Sequence, residues 1–170
     1  CDTFVKMIHS SMNRIYEDNQ DISACFFKGK DITCYSVKLL DADYHGSQTG
    51  VFLIEYDCGK IVYKPRDLSI CHLWNYFVKT CAPNYLKSVK CLTKDEYGYM
   101  EYIENVRPDP AKVNEYFFNW GAFLAACCIF RSSDLHDNNI FICNNSPLFI
   151  DMETLITPSS IWEKKNKIDV

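Results

Sequence analysis

Apolar positions along the chain change period several times, and each change marks an element. In residues 3–16, Phe4, Met7, Ile8, Met12 and Ile15 fall close to helical spacing, which predicts an amphipathic helix ended by the polar run Glu17-Asp18-Asn19-Gln20. Phe26-Phe27-Lys28-Gly29-Lys30 reads as a turn. Residues 32–40, 51–56 and 61–64 read as strands. A polar loop over 41–50 joins the first two, and Asp57-Cys58-Gly59-Lys60 makes a hairpin turn between the last two. Pro65 lacks a backbone donor and stops the ladder. Leu68, Cys71, Leu73, Trp74 and Phe77 give residues 68–80 a broad apolar helical face. Residues 88–93 and 97–103 read as strands, and Glu104-Asn105-Val106-Arg107-Pro108-Asp109-Pro110 as a loop with main-chain groups free for a ligand. A helix then runs to about residue 130. Two apolar runs, 140–143 and 147–150, flank Asn144-Asn145-Ser146 as the arms and tip of a hairpin. Residues 156–170 are of mixed polar character with no closing helix. The class is α+β.

Composition narrows this picture. At 170 residues the chain is long enough for a real core, and 48% hydrophobic content with eleven Tyr and eleven Phe excludes a disordered chain. A net charge of -4 without a basic face argues against a nucleic-acid partner. Lys164-Lys165-Asn166-Lys167 reads as a solvated loop. The ten cysteines include no Cys-x-x-Cys and no pair beside a histidine pair, so a structural zinc site is not expected. Many of them sit in apolar segments, where a free thiol behaves as a small hydrophobe. Without a charged start followed by an apolar core, the N-terminus does not read as a signal peptide, and a cytoplasmic location with reduced cysteines follows. The apolar run 117–130 is too short to span a bilayer and predicts a buried helix. A start at Cys1 rather than Met points to a fragment.

The candidate chemistry lies in Ser133-Asp134-Leu135-His136-Asp137-Asn138-Asn139-Ile140, followed by Ile150-Asp151. A hairpin folds both of its ends to one side, so Asp134, Asn139 and Asp151 can converge. An Asp, an Asn five residues later and a further Asp is the set that phosphotransferases use. The first Asp takes or orients the proton of an attacking hydroxyl, and the other two hold Mg²⁺ against nucleotide phosphates. Turn formation alone is the competing explanation for such residues. The glycines Gly46 and Gly50 would let a loop approach phosphates closely, or serve an ordinary hairpin loop. Lys64, at a strand end after that loop, is of the right type to pair with a phosphate, or is a solvated lysine. The 68–80 helix has no Glu to pair with Lys64, and Asp43 is the candidate substitute.

Five segments together carry a family resemblance. They are Asp43-Tyr44-His45-Gly46, Val62-Tyr63-Lys64-Pro65-Arg66-Asp67-Leu68, Tyr97-Gly98-Tyr99-Met100-Glu101-Tyr102-Ile103, Ser133-Asp134-Leu135-His136-Asp137-Asn138-Asn139 and Ile150-Asp151-Met152-Glu153-Thr154-Leu155. In order and spacing they resemble the dehydratase domain of class II lanthipeptide synthetases, whose core is similar to protein and lipid kinases. The resemblance implies a kinase-like fold with a small antiparallel-sheet, nucleotide-covering lobe over 1–105. The beginning of a helical large lobe, with the catalytic hairpin, would occupy 106–170. It implies ATP- and Mg²⁺-dependent phosphorylation of Ser and Thr in a ribosomal precursor peptide, followed by phosphate elimination to dehydroalanine or dehydrobutyrine. In these terms Asp134 is catalytic with His136 supporting it, and Lys64 holds ATP phosphates. Asp43, His45 and Gly46 line the phosphate side, while Asn139 and Asp151 bind the metal. The implied partners are the precursor peptide and, in a longer parent chain, the rest of the dehydratase and a zinc cyclase domain. The sequence departs from the family at Asn138, where Glu is frequent. It also stops soon after Asp151, before the elimination residues. Two alternatives stand beside this reading: a small-molecule phosphotransferase of the aminoglycoside or choline kind, and a nucleotide- or peptide-binding module without activity.

Overall fold

Residues 2–43 and 49–156 are described by the computed structural model of the chain. Its packing divides into two units, residues 1–72 with 89–102 and residues 73–88 with 103–170. Residues 73–88 therefore group with the later part of the chain, across the 105/106 boundary drawn from the sequence. The architecture is α+β, with one five-stranded and one two-stranded antiparallel sheet.

In the first unit, strands β1 (Cys34–Asp43), β2 (Thr49–Tyr56), β3 (Gly59–Lys64), β4 (Cys91–Thr93) and β5 (Gly98–Glu101) form a sheet in the order β1-β2-β3-β5-β4. Gly50 belongs to β2 opposite Ala42, not to a loop, and Leu39 and Phe52 fill the space where its side chain would stand. Along β2 and β3, Phe52, Ile54, Tyr56, Ile61 and Tyr63 alternate onto one face, joined there by Tyr99 of β5. Helices α1 (Asp2–Glu17) and α2 (Asn19–Phe26) cover that face through Met7, Ile8, Met12, Ile15, Ile22 and Phe26. Lys64 projects from the opposite face, in register with Gly98.

The polar run at 17–20 ends α1 at Glu17 as expected, but the chain does not leave the helical region there. Helix α2 follows directly, with Asp18 at the junction. The reason lies far along the chain. Asp18 is buried and accepts hydrogen bonds from the Tyr97 and Tyr99 hydroxyls, each at 2.8 Å, and pairs with Lys94 at 2.7 Å. Burial alone would raise its carboxyl. The bonds from Lys94, Tyr97 and Tyr99 outweigh burial and hold it below the usual carboxylate range.

In the second unit, helix α4 (Val113–Phe130), preceded by a 3-10 turn, packs on a hairpin of β6 (Ile140–Cys143) and β7 (Ser146–Phe149). Helix α3 (Ile70–Cys81) starts in the first unit and carries Trp74 in the second. Edge-to-face packing sets Trp74 at 6.0 Å from Phe123 and 5.5 Å from Phe149, and Phe123 lies 4.7 Å from Phe149. The Trp74 indole N–H donates to the Lys87 carbonyl at 3.0 Å. Only one stripe of α4 is buried, at Asn119, Phe123, Ala126 and Cys127. Phe117 and Ile129 remain 65% and 68% exposed, so the expectation of a fully buried helix is corrected. Among the described residues no helix is long and apolar enough to cross a membrane, and none of the nine described cysteines forms a disulfide.

Replacing Asp18 by Ala strands two tyrosine hydroxyls and should lower stability by about 2–3 kcal/mol, read from the urea midpoint. Because the folded-state pKa lies below the unfolded value, the contribution of Asp18 is complete above the ordinary carboxylate range and is lost as pH falls through the folded value. An Asp18→Asn protein should therefore show a flatter acid limb of its stability profile than the wild type. Identical limbs would contradict this.

Candidate active site

The candidate catalytic segment begins where α4 ends. Arg131 takes a left-handed conformation (φ 55°, ψ 40°), and the Ser132 N–H donates to the Cys127 carbonyl at 2.9 Å, which turns the chain off the helix. The next residues are stitched to the segment after β7. Ser132 Oγ donates to the Leu155 carbonyl at 2.9 Å, and the Ser133 N–H donates to the Thr154 carbonyl at 3.1 Å. In return, Thr154 Oγ1 donates to the Ser133 carbonyl at 2.7 Å. Asp134 follows with φ 61°, a left-handed conformation that Asp tolerates better than most residues.

Asn139 closes the other side. Its Nδ2 donates to the Asp134 carbonyl at 3.1 Å and to the Asp134 carboxylate at 3.0 Å. The same nitrogen lies 3.0 Å from His136 Nε2, so the amide N–H groups face Asp134 and His136. The Asn138 N–H donates to His136 Nδ1 at 3.2 Å. On the other side of the ring, Nε2 lies 3.5 Å from Asp134 Oδ1 and 3.0 Å from Asn139 Nδ2. Asp134 and His136 are exposed, and Asn139 is half-buried.

The hairpin delivers Asp151 to the same end. Asn144 and Asn145, with φ 49° and 61°, make a two-residue turn between the arms, so Ser146 belongs to β7 rather than to the tip. Asn145 Oδ1 accepts from the Asp109 N–H at 2.8 Å, and Asn119 Nδ2 donates to the Asn145 carbonyl at 3.1 Å. The Val106 N–H, expected to be free, donates to the Ile142 carbonyl at 3.0 Å. At the base, the Ile150 N–H donates to the Asn139 carbonyl at 3.0 Å, and Asp151 comes next, before the turn closed by Leu155 N–H on the Met152 carbonyl. Asp134, His136 and Asn139 are thus in mutual contact, with Asp151 bracketed by bonds to Asn139 on one side and Ser133 on the other.

In the first unit, Lys64 ends β3 and is only 6% exposed, which removes the solvated-lysine explanation. Its partner in register, Gly98, has no room for a side chain: a Cβ there would stand 2.8 Å from the Leu92 carbonyl oxygen and 2.8 Å from Leu68. The Lys-Pro-Arg-Asp-Leu and Tyr-Gly-Tyr segments thus pack on each other. Asp67 accepts from the hydroxyl and N–H of Ser69, bonds that hold its carboxyl below the usual range. The Asp43 backbone ends β1 opposite Thr49, and the expected His45 and Gly46 lie outside the described residues.

The family described as a domain of unknown function (DUF4135) matches residues 1–169. The chain belongs to the DUF4135 family. It is also similar to the lacticin 481/lactococcin biosynthesis protein LcnDR2 of Lactococcus lactis subsp. lactis, at 25% identity over 169 residues, covering 91% of this chain and 17% of that protein. The chain therefore spans about a sixth of the length of the curated relative it matches. Within this DUF4135 chain, sequence reasoning assigned no role to Thr154, Ser133 or Asn145. Thr154 stands in the Ile-Asp-Met-Glu-Thr segment, but its bond is to a main-chain carbonyl, and no residue pattern at 133 announces that.

Proposed function

We propose that this DUF4135 chain serves lanthipeptide biosynthesis as the kinase-like part of a dehydratase, transferring phosphate from ATP to Ser and Thr hydroxyls of a ribosomal precursor peptide. The contact among Asp134, His136 and Asn139 at the hairpin base that delivers Asp151 carries this reading. The lantibiotic biosynthesis name of the Lactococcus relative supports the pathway. A kinase-like arrangement accounts for the antiparallel sheet, which offers a strand-end lysine, and for the acidic hairpin. Phosphorylation would be the first half of dehydration to dehydroalanine or dehydrobutyrine. The rest of a dehydratase and a zinc cyclase domain in a longer protein, acting in the cytoplasm, are the partners this reading assigns.

The donor set suits Mg²⁺. Among the described residues no group of three His, Cys, Asp or Glu side chains is arranged as a metal cage. A cation that keeps several waters and takes phosphate oxygens needs no such cage, only one or two carboxylates and an amide oxygen. Asn139 offers an amide oxygen and Asp151, two residues beyond β7, a carboxylate, and these two would hold the metal. When bound, Mg·ATP supplies the transferable phosphoryl group.

The chain's own residues then have distinct tasks. Asp134 orients the substrate hydroxyl and accepts its proton. His136 Nε2, 3.5 Å from the Asp134 carboxylate, helps to hold its orientation. Lys64, with Asp43, His45 and Gly46, is assigned to the nucleotide phosphates; their share of the binding is electrostatic.

In the intact protein, Asp134→Asn and Asp151→Asn should each reduce peptide phosphorylation by about 10²-fold or more, followed by mass spectrometry of the precursor. Wild-type protein should gain about 2.7 kcal/mol of stability at Mg·ATP a hundredfold over its dissociation constant, and lose that gain in EDTA. Unaltered activity in either variant, or no Mg²⁺-dependent gain, refutes the assignment.

A further inference from the structure

Asp134 is held in a left-handed conformation on an exposed segment, and something must keep it there (φ 61°). On its C-terminal side Asn139 takes both its carbonyl and its carboxylate. On its N-terminal side one residue does the equivalent. Thr154 receives the N–H of Ser133 at 3.1 Å on its carbonyl and returns its hydroxyl to the Ser133 carbonyl at 2.7 Å. Both main-chain polar groups of the residue before Asp134 are thereby fixed by a single side chain and its own backbone.

The origin of Thr154 makes the arrangement informative. It lies in the turn closed between Leu155 N–H and the Met152 carbonyl at 3.0 Å, directly after Asp151. The turn that follows the second aspartate therefore also grips the residue before the first. The β-branched side chain restricts the rotation of Thr154, so its hydroxyl is pre-aimed at Ser133. Thr154 is itself half-buried, which limits competition by water for that bond.

We propose that Thr154 is a positioning residue for the phosphotransfer reaction, clamping Ser133 so that Asp134 keeps its working orientation relative to Asp151. This role rests on the phosphotransfer reading given above. The neighbouring bond from Ser132 Oγ to the Leu155 carbonyl joins the same two segments without touching the backbone of Ser133. It serves as an internal control.

The test compares Thr154→Val, Thr154→Ser and Ser132→Ala in the intact protein, with kcat and KM for precursor-peptide phosphorylation and thermal unfolding measured for each. Thr154→Val keeps shape and loses the hydroxyl. It should lower kcat by about 10- to 100-fold, the cost of an ångström-scale misplacement, with KM for peptide within about twofold. Thr154→Ser should recover most of kcat, and Ser132→Ala should lower the unfolding temperature while leaving kcat within about threefold. A Thr154→Val protein with wild-type kcat, or a Thr154→Ser protein as impaired as Thr154→Val, overturns the clamp while leaving the phosphotransfer reading intact. A Thr154→Val protein that no longer unfolds cooperatively makes Thr154 a stability residue and overturns the clamp as well. Absence of phosphate transfer by the wild type overturns the reading on which the role stands.

Discussion

Closure at the base of the β6–β7 hairpin is the constraint on which the candidate site depends. Two four-residue strands are too short to be stable alone, and an exposed aspartate beside them would sample many orientations. Here the chain is tied on both sides of Asp151, to Asn139 through Ile150 and to Ser133 through Thr154. Asp134, His136 and Asn139 become neighbours on a segment whose main chain has little freedom. The remote end is tied as firmly, since Asn145 bonds to both Asp109 and Asn119. A hairpin anchored at tip and base behaves as a rigid bracket.

The first unit solves a different problem. Its sheet carries a helical cover on one face and the buried Lys64 on the other. The cover is α1 with α2, and its seat is a buried carboxylate. A buried charge is costly unless partners satisfy it. Asp18 has Lys94 and two tyrosine hydroxyls, so the junction between the helices is pinned to β5 and the loop before it. Lys94 reaches Asp21 as well, at 2.7 Å, which ties α2 to the same place. Tight packing of Leu68 on Gly98 then sets the path of the chain as it leaves β3 after Lys64.

Aromatic packing fills the interior of the second unit. Trp74, Phe123 and Phe149 come from α3, α4 and β7, and the edge-to-face contacts of Trp74 with a tilted contact between the two phenylalanines join these elements. Because Phe149 lies two residues before Asp151, the same cluster seats the strand that delivers the second carboxylate. Core packing and site geometry are thus coupled over a few residues. The remaining apolar surface of α4, including Phe117, Phe118 and Ile129, takes no part in that cluster.

Local signals were readable in the sequence wherever neighbouring residues decide the outcome. Pro65 and the Asp-Cys-Gly-Lys turn mark β2 and β3, and Asn144-Asn145-Ser146 marks a hairpin tip because Asn tolerates positive φ. The convergence of Asp134 and Asn139 followed from hairpin geometry. Helix α2 was not readable: a polar quartet reads as a stop, and the partners that make Asp18 a buried junction lie 79 and 81 positions away. Nor was the covered face of α4, since a helix apolar on every side has no period to reveal it. The Thr154 clamp was hidden for a third reason. Its acceptor is a main-chain carbonyl, which every residue possesses, so only the approach of two segments in space could select it.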